Sequence, residues 1–142
     1  TLRYFNVFGP RQDPSSPYSG VMSRFLLLMR RGERPVIYGD GRQSRDFTYV
    51  DNAIAANLLA MTVPGPLKGE VINIASGCQV TLLEVVAEFN KALGMRLEPD
   101  FQPPRVGDVL HSLADLSKAR ELLGFEVKVD WREGIRRLVE HG

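Results

Sequence analysis

The chain has 142 residues, Lys and Arg nearly balance Asp and Glu, and the formal net charge is +1. That size allows one small unit with a real core, and the charge gives no field of one sign to draw in nucleic acid or an anionic membrane surface. With a single cysteine, Cys78, neither an internal disulfide nor a cysteine-rich metal site is available, so the expected location is a reducing one, the cytoplasm.

No run of about eighteen apolar residues occurs, and Thr1 to Gly9 lacks the pattern of a signal peptide. From Leu2 to Phe8 nearly every residue is apolar or aromatic. This predicts one strand buried on both faces. A chain opening inside such a strand is expected to belong to something longer.

A Pro- and Ser-rich loop covers Arg11 to Gly20. Met22, Phe25, Leu26 and Met29 then fall at helical spacing, predicting a helix from about Val21 to Arg31 with Gly32 closing it. Pro35 to Tyr38 reads as a short strand before the tight turn Gly39-Asp40-Gly41, and Phe47 to Val50 as a second extended stretch. Asp51 is expected to cap a helix reaching about Met61, with Ile54, Leu58 and Met61 on one side. Glu70 to Ala75 predicts a buried strand. Thr81 and Glu84 form a T-x-x-E capping box ahead of Val85, Val86, Phe89 and Leu93. Leu97 to Phe101 predicts an edge strand. Asp115 is placed as the cap of a short helix ending at Gly124, and Asp130 with Glu133 as the start of the last one. Arg132, Arg136 and Arg137 read as a solvated helix face. The mixture of helices and short strands, without repeat or linker, predicts one α/β (mixed α+β) unit over residues 1–142.

Three segments carry candidate chemistry. In Gly39 to Phe47, two glycines allow a sharp turn, and Arg45 follows where it can clamp a diphosphate; a hairpin turn with Arg45 paired to Asp40 or Asp46 is the alternative. In Pro104-Arg105-Val106-Gly107-Asp108, the arginine suits a phosphate and the acid suits ribose hydroxyls, or the two form a loop salt bridge. Asn6 sits late in the first strand, where ligands of open α/β sheets bind, or it organises the loop that follows. No G-x-G-x-x-G turn and no Tyr-x-x-x-Lys pair occurs, and His111 and His141 lack metal or triad partners at useful spacing. The expectation is therefore no metal and no catalytic residue in this chain.

In order, R-Y-F-N-x-x-G-P at Arg3 to Pro10, P-x-x-x-G-x-G-x-Q-x-R-D-F-x-x-V at Pro35 to Val50, N-I-x-x-G-x-x-x-T-x-x-E at Asn73 to Glu84, and R-x-G-D at Arg105 to Asp108 resemble the extended short-chain dehydrogenases/reductases that act on nucleotide sugars, the UDP-glucose 4-epimerases and their relatives above all. The resemblance covers essentially the whole chain. It implies the C-terminal part of such an enzyme: a small substrate-binding domain plus strands of the NAD-domain sheet. Under it, Asn6 would bond the diphosphate or sugar, and Val21 and its neighbours would cover the diphosphate. Val36, Ile37 and Tyr38 would hold the uracil, with backbone groups reading its edge and Tyr38 giving a stacking face; Arg45 and Arg105 would neutralise the diphosphate, and Asp108 would take a ribose hydroxyl. Phe5 would lie near the nicotinamide of NAD.

The family's glycine-rich turn and Tyr-x-x-x-Lys pair belong to an N-terminal NAD-binding half that this chain lacks. The resemblance therefore implies a UDP-sugar-binding portion that does not turn over alone and binds no cofactor by itself. NAD would serve the full-length homodimeric parent. His111 and Ser112 stand where some epimerases carry a tyrosine, which leaves dehydratase and UDP-glucuronate decarboxylase as alternatives to epimerase. A stand-alone protein-interaction domain derived from such an enzyme is the reading from a different class.

Overall fold

The computed structural model describes residues 1–16, 20–65 and 67–142. In chain order the elements are β1 (Leu2–Tyr4), β2 (Val7–Phe8), α1 (Val21–Arg30), β3 (Val36–Tyr38), β4 (Ser44–Arg45), β5 (Thr48–Tyr49), α2 (Val50–Thr62), β6 (Ile72–Ile74), β7 (Val80–Thr81), α3 (Leu82–Leu93), β8 (Asp100–Gln102), α4 (Ser117–Leu123) and α5 (Trp131–His141). The strands associate in pairs. β1 lies parallel to β6, β2 to β5 and β3 to β8, while β4 and β7 are antiparallel. This is the expected mixed α/β architecture.

The core has two parts. In one, the apolar faces of α1, α3 and α5 meet around Phe25, Phe89 and Trp131, with Phe8, Ile37 and Tyr49 from the strands and Phe47 from the link before β5. In the other, Ile72 and Ile74 of β6 pack with Ala56 of α2 and with Leu116, Ala119, Leu123 and Phe125 around α4. The α1 stripe reads as expected: Met22, Phe25, Leu26 and Met29 are all buried.

The helix ends explain why α3 and α5 start where they do. The Thr81 side chain accepts the Glu84 backbone N–H, and the Glu84 carboxylate accepts the Thr81 backbone N–H at 2.8 Å. The two bonds satisfy donors that helix termini otherwise leave orphaned. Asp130 accepts the Glu133 N–H in the same way at 2.9 Å. Gly94 and Gly124 close α3 and α4 in the left-handed conformation. The arginines of α5 form a solvent-facing lattice: Arg136 and Arg137 both donate to Glu133, and Arg137 reaches Asp51.

Several expectations are corrected. The first strand is neither continuous nor buried on both faces. Asn6 has φ 38°, which turns the chain and sends Val7 and Phe8 to a different partner strand, while Arg3 and Tyr4 are exposed. Asp51 does not cap α2; Tyr49 holds the N-cap position without a side-chain bond, and Asp51 lies inside the first turn. Ile54, Leu58 and Met61 lie along one side of α2, and that side faces outward. They are 52%, 58% and 80% exposed, because the helix packs through its small face, Ala53 and Ala56, with Asn52. That face lets α2 approach β6 and α4 closely and leaves the larger side chains outside. The edge strand falls at Asp100–Gln102, a little beyond its expected place. Asp115 sits one position before the N-cap of α4, where its carboxylate accepts both the N–H and the hydroxyl of Ser117. Among the described residues, no helix is long and apolar enough to cross a membrane.

Candidate functional site

A cleft of about 490 Å³ opens between the end of β2, the start of α1, β3, β4 and the loop that follows β8. Of the nine residues assigned to a ligand from sequence, seven line it: Asn6, Val21, Val36, Tyr38, Arg45, Arg105 and Asp108. They come from segments as far apart as the first strand and the loop after Gln102, and only the tertiary fold brings them together.

Two do not line the cleft. Ile37 is fully buried in the larger core. Successive side chains of a strand point to opposite faces, so Val36 and Tyr38 turn toward the cleft and Ile37 turns away. Phe5 packs against the smaller core, with the Arg3 guanidinium 5.9 Å from its ring.

The polar pairing differs from every pairing drawn from sequence. Arg45 binds neither Asp40 nor Asp46, and the side chain of Arg105 does not reach Asp108. Instead Arg45 donates to the Asp108 carboxylate at 2.6 Å and to the Ser44 carbonyl at 2.9 Å. The Arg105 guanidinium lies over the Tyr38 ring, 3.8 Å from its centroid. Asp40 accepts the Arg42 N–H within its own turn. Asn6 donates through its side-chain amide to the Asp46 carbonyl at 2.9 Å, so the loop-organising role is real, and the residue also lines the cleft.

The surroundings favour an anion. Arg24, Arg45 and Arg105 line the cleft against one carboxylate, Asp108. The first residues of α1 border it too, with no acidic residue in that turn and no side-chain cap on Gly20. Uncapped amides at a helix start attract negative charge. The floor is apolar, supplied by Phe8, Phe25, Phe47 and Leu82. A second hollow adjoins the first across the stacked Tyr38 and Arg105, walled by Phe101, Pro104 and Leu110.

Sequence reasoning missed Gln43, whose side chain donates to the Tyr38 carbonyl at 2.6 Å, and Phe47, although both lie inside a motif already singled out. It also missed Arg24, an exposed helix arginine with no local signature. His111 does have a partner. Its Nδ1 is 2.8 Å from the Ser44 hydroxyl, which also accepts a bond from Gln79. Ser44 is buried, and the pair stitches the loop after β8 to β4, alongside the Ser44–Leu110 and Ser112–Ser44 backbone bonds. His141 is exposed beside Glu140. No cluster of potential metal ligands is present among the described residues.

The sequence model of the NAD dependent epimerase/dehydratase family matches residues 1–75, more than half of the chain. The chain belongs to that family. It corresponds to the C-terminal part of an extended short-chain dehydrogenase/reductase. It is 40% identical over 97% of its length to a putative UDP-glucose 4-epimerase of Methanocaldococcus jannaschii, of which it spans 43%. It is 32% identical over 98% of its length to a UDP-N-acetyl-alpha-D-glucosaminuronate decarboxylase of Bacillus cytotoxicus, spanning 44% of that protein. The crystal structure of UDP-glucose 4-epimerase from Thermotoga maritima with UDP-glucose superposes with a TM-score of 0.91 at 44% identity, over 99% of this chain and 44% of that one. UDP-glucuronic acid 4-epimerase from Bacillus cereus, in complex with UDP-glucuronic acid and NAD, superposes with a TM-score of 0.90 at 33% identity, over 99% of this chain and 43% of that one. The chain thus spans less than half the length of the epimerase/dehydratase family members it matches.

Proposed function

We propose that this chain is the nucleotide-sugar-binding portion of an NAD-dependent sugar 4-epimerase, with a UDP-hexose as its ligand, and that it binds without turning over on its own. The single observation that carries this reading is the convergence of Arg45, Arg105, Asp108 and Tyr38 on one cleft beside the start of α1. Two arginines answer the two phosphates, an aromatic face answers the base, and a carboxylate answers the ribose diol.

The likeness to a UDP-glucose 4-epimerase solved with UDP-glucose supports the choice of ligand. A decarboxylase among the relatives shares the same extent of chain; the proposal commits to epimerase on the higher identity of the epimerase relatives. We take NAD to belong to the full-length parent and not to this chain alone. Phe5 is turned into the smaller core, and no glycine-rich strand-to-helix turn is present in the sequence, so no chemical step is assigned here. We take residues 1–142 to work with an NAD-binding half, through which a full-length parent would dimerise. The exposed apolar row on α2, with the exposed Arg3 and Tyr4 of β1, supports such a neighbour.

The test is a calorimetric titration of the chain with UDP and, separately, with NAD. UDP should bind and NAD should not. Arg45→Ala and Arg105→Ala should each weaken UDP by about tenfold to a hundredfold, the range for loss of a charge-assisted hydrogen bond. Unchanged UDP affinity in both variants would remove the cleft from consideration.

A further inference from the structure

Asp46 is fully buried, lines neither hollow, and makes the densest set of side-chain bonds around the site. One carboxylate oxygen accepts the Ser76 N–H at 2.8 Å and the Ser76 hydroxyl at 2.6 Å. The other accepts the Gly77 N–H at 3.0 Å and the Ala114 N–H at 3.3 Å. All four partners can donate, which suits a group with two acceptor oxygens and no other residue type of this size. The backbone carbonyl of the same residue accepts the Asn6 amide.

Those partners belong to three separate pieces of chain. Ser76 and Gly77 form the turn after β6, on the side of the smaller core. Ala114 ends the loop that carries Arg105 and Asp108. Asn6 ends the run that leads into β2. Asp46 itself follows Arg45 directly. The buried carboxylate therefore ties the loop that carries Arg105 and Asp108, and the neighbouring Arg45, to the turn after β6, while the backbone carbonyl of the same residue holds Asn6.

Gly77 supports the same conclusion independently. It has φ +70°, and a Cβ there would come within 3.1 Å of Leu116. The same left-handed turn presents its N–H to the Asp46 carboxylate at 3.0 Å, a conformation that favours glycine.

We infer that Asp46 is a positioning residue for the nucleotide-sugar cleft: it holds the Arg105–Asp108 loop, Arg45 and Asn6 in register without touching the ligand. The inference rests on the function proposed above.

Asp46→Asn keeps the shape but sets an NH₂ group against N–H donors. The matched control is Asn52→Ala. Asn52 is equally buried and also joins distant segments, with bonds to Lys128 and Val129, yet it and these partners line neither hollow. Both variants should lose stability. Only Asp46→Asn should weaken UDP, by at least about tenfold. Only Asp46→Asn should speed amide hydrogen exchange at Ser44 and Ser112, which bond the loop after β8 to β4 and not to Asp46. If Asp46→Asn does not fold, Ser76→Ala removes one of the four bonds and should give the same two effects in smaller measure. Equal exchange at Ser44 and Ser112 in the Asp46 and Asn52 variants at matched stability would overturn the inference, as would wild-type UDP affinity in Asp46→Asn. Should the unaltered chain bind no UDP, the proposed function falls, and the exchange comparison alone decides the role of Asp46.

Discussion

Arg45 and Asp108, 63 residues apart in sequence, form an ion pair of 2.6 Å inside the cleft, with the arginine side chain 19% exposed and the aspartate 40%. The arginine proposed to meet the phosphates therefore already holds an anion. A phosphate group entering the cleft competes with Asp108 for it.

Asp108→Asn removes that competitor. Inorganic pyrophosphate, which has no ribose, should bind Asp108→Asn more tightly than the unaltered chain, whereas UDP should gain less because it loses an acceptor for its diol. Parallel calorimetric titrations with the two ligands read the difference. Weaker pyrophosphate binding in the variant would mean that Asp108 orients Arg45 instead of occupying it. A half-exposed ion pair contributes about 1 kcal/mol or less to stability, so the melting temperature should hardly move.

Tyr38 separates base recognition from phosphate recognition. Stacking of a base on an aromatic ring is worth about 1–3 kcal/mol by alanine substitution. Tyr38→Ala should cost UDP roughly tenfold or more on that basis, and pyrophosphate nothing. An equal loss for both ligands would place the base elsewhere.

Gly134 opposes propensity to packing. Within a helix, replacing Gly by Ala ordinarily stabilises by about 1 kcal/mol. In α5, however, a Cβ at this position would lie 2.7 Å from the Phe8 ring and 2.9 Å from the Tyr49 ring. Both rings are buried in the larger core and cannot step aside. Overpacking of this kind costs about 1–3 kcal/mol, so Gly134→Ala should destabilise the chain in urea unfolding. A rise in midpoint would show that the rings give way.

The α3 capping box makes stability depend on pH. Hydrogen bonds from the Thr81 backbone, then from its hydroxyl, hold the Glu84 carboxyl below the usual glutamate range. Between the folded and unfolded values the unfolded chain binds more protons, so stability rises with pH there. The contribution of the box is complete above the ordinary glutamate value and fades as pH falls through the lowered one. Thr81→Ala should cost about 1 kcal/mol at neutral pH, with the difference from the unaltered chain shrinking in acid. A difference that stays constant down the acid limb would separate the cap from Glu84.

The exposed row on α2 predicts behaviour in solution. Ile54, Leu58 and Met61 present apolar surface at helical spacing. Sedimentation should detect self-association that a Leu58→Glu, Met61→Glu double variant suppresses, with stability changed by no more than about 0.5 kcal/mol per site. Monomeric behaviour of the unaltered chain at high concentration would count against the row as a contact surface.

The sequence carried the residue types of the site well and their pairing poorly. Arg45, Arg105, Asp108 and Asn6 were legible because motifs preserve local chemistry. That Arg45 would choose Asp108 depends on the loop after β8 folding back over β4, and no local signal encodes that. The side chain of Ile37 lies off the cleft because side chains alternate along a strand. Asp46 looked like a spare partner for its neighbour, although an acid between an arginine and a run of buried residues needs several donors, and that was the available clue. The α2 row was legible as one side of a helix, but which side packs was not, because the alanines decide how closely a helix can sit.

The pairing of β1 with β6 joins Leu2 to Ile72, and β3 meets β8 across a comparable stretch of chain. Parallel pairs of this kind gain nothing until a long loop has closed, and chains dominated by distant contacts fold slowly. On a ribosome, β1 would wait for its partner until the residues of β6 had emerged, with Leu2 and Phe5 not yet packed against the smaller core. A chaperone that recognises extended aromatic segments would find its natural opportunity in that interval.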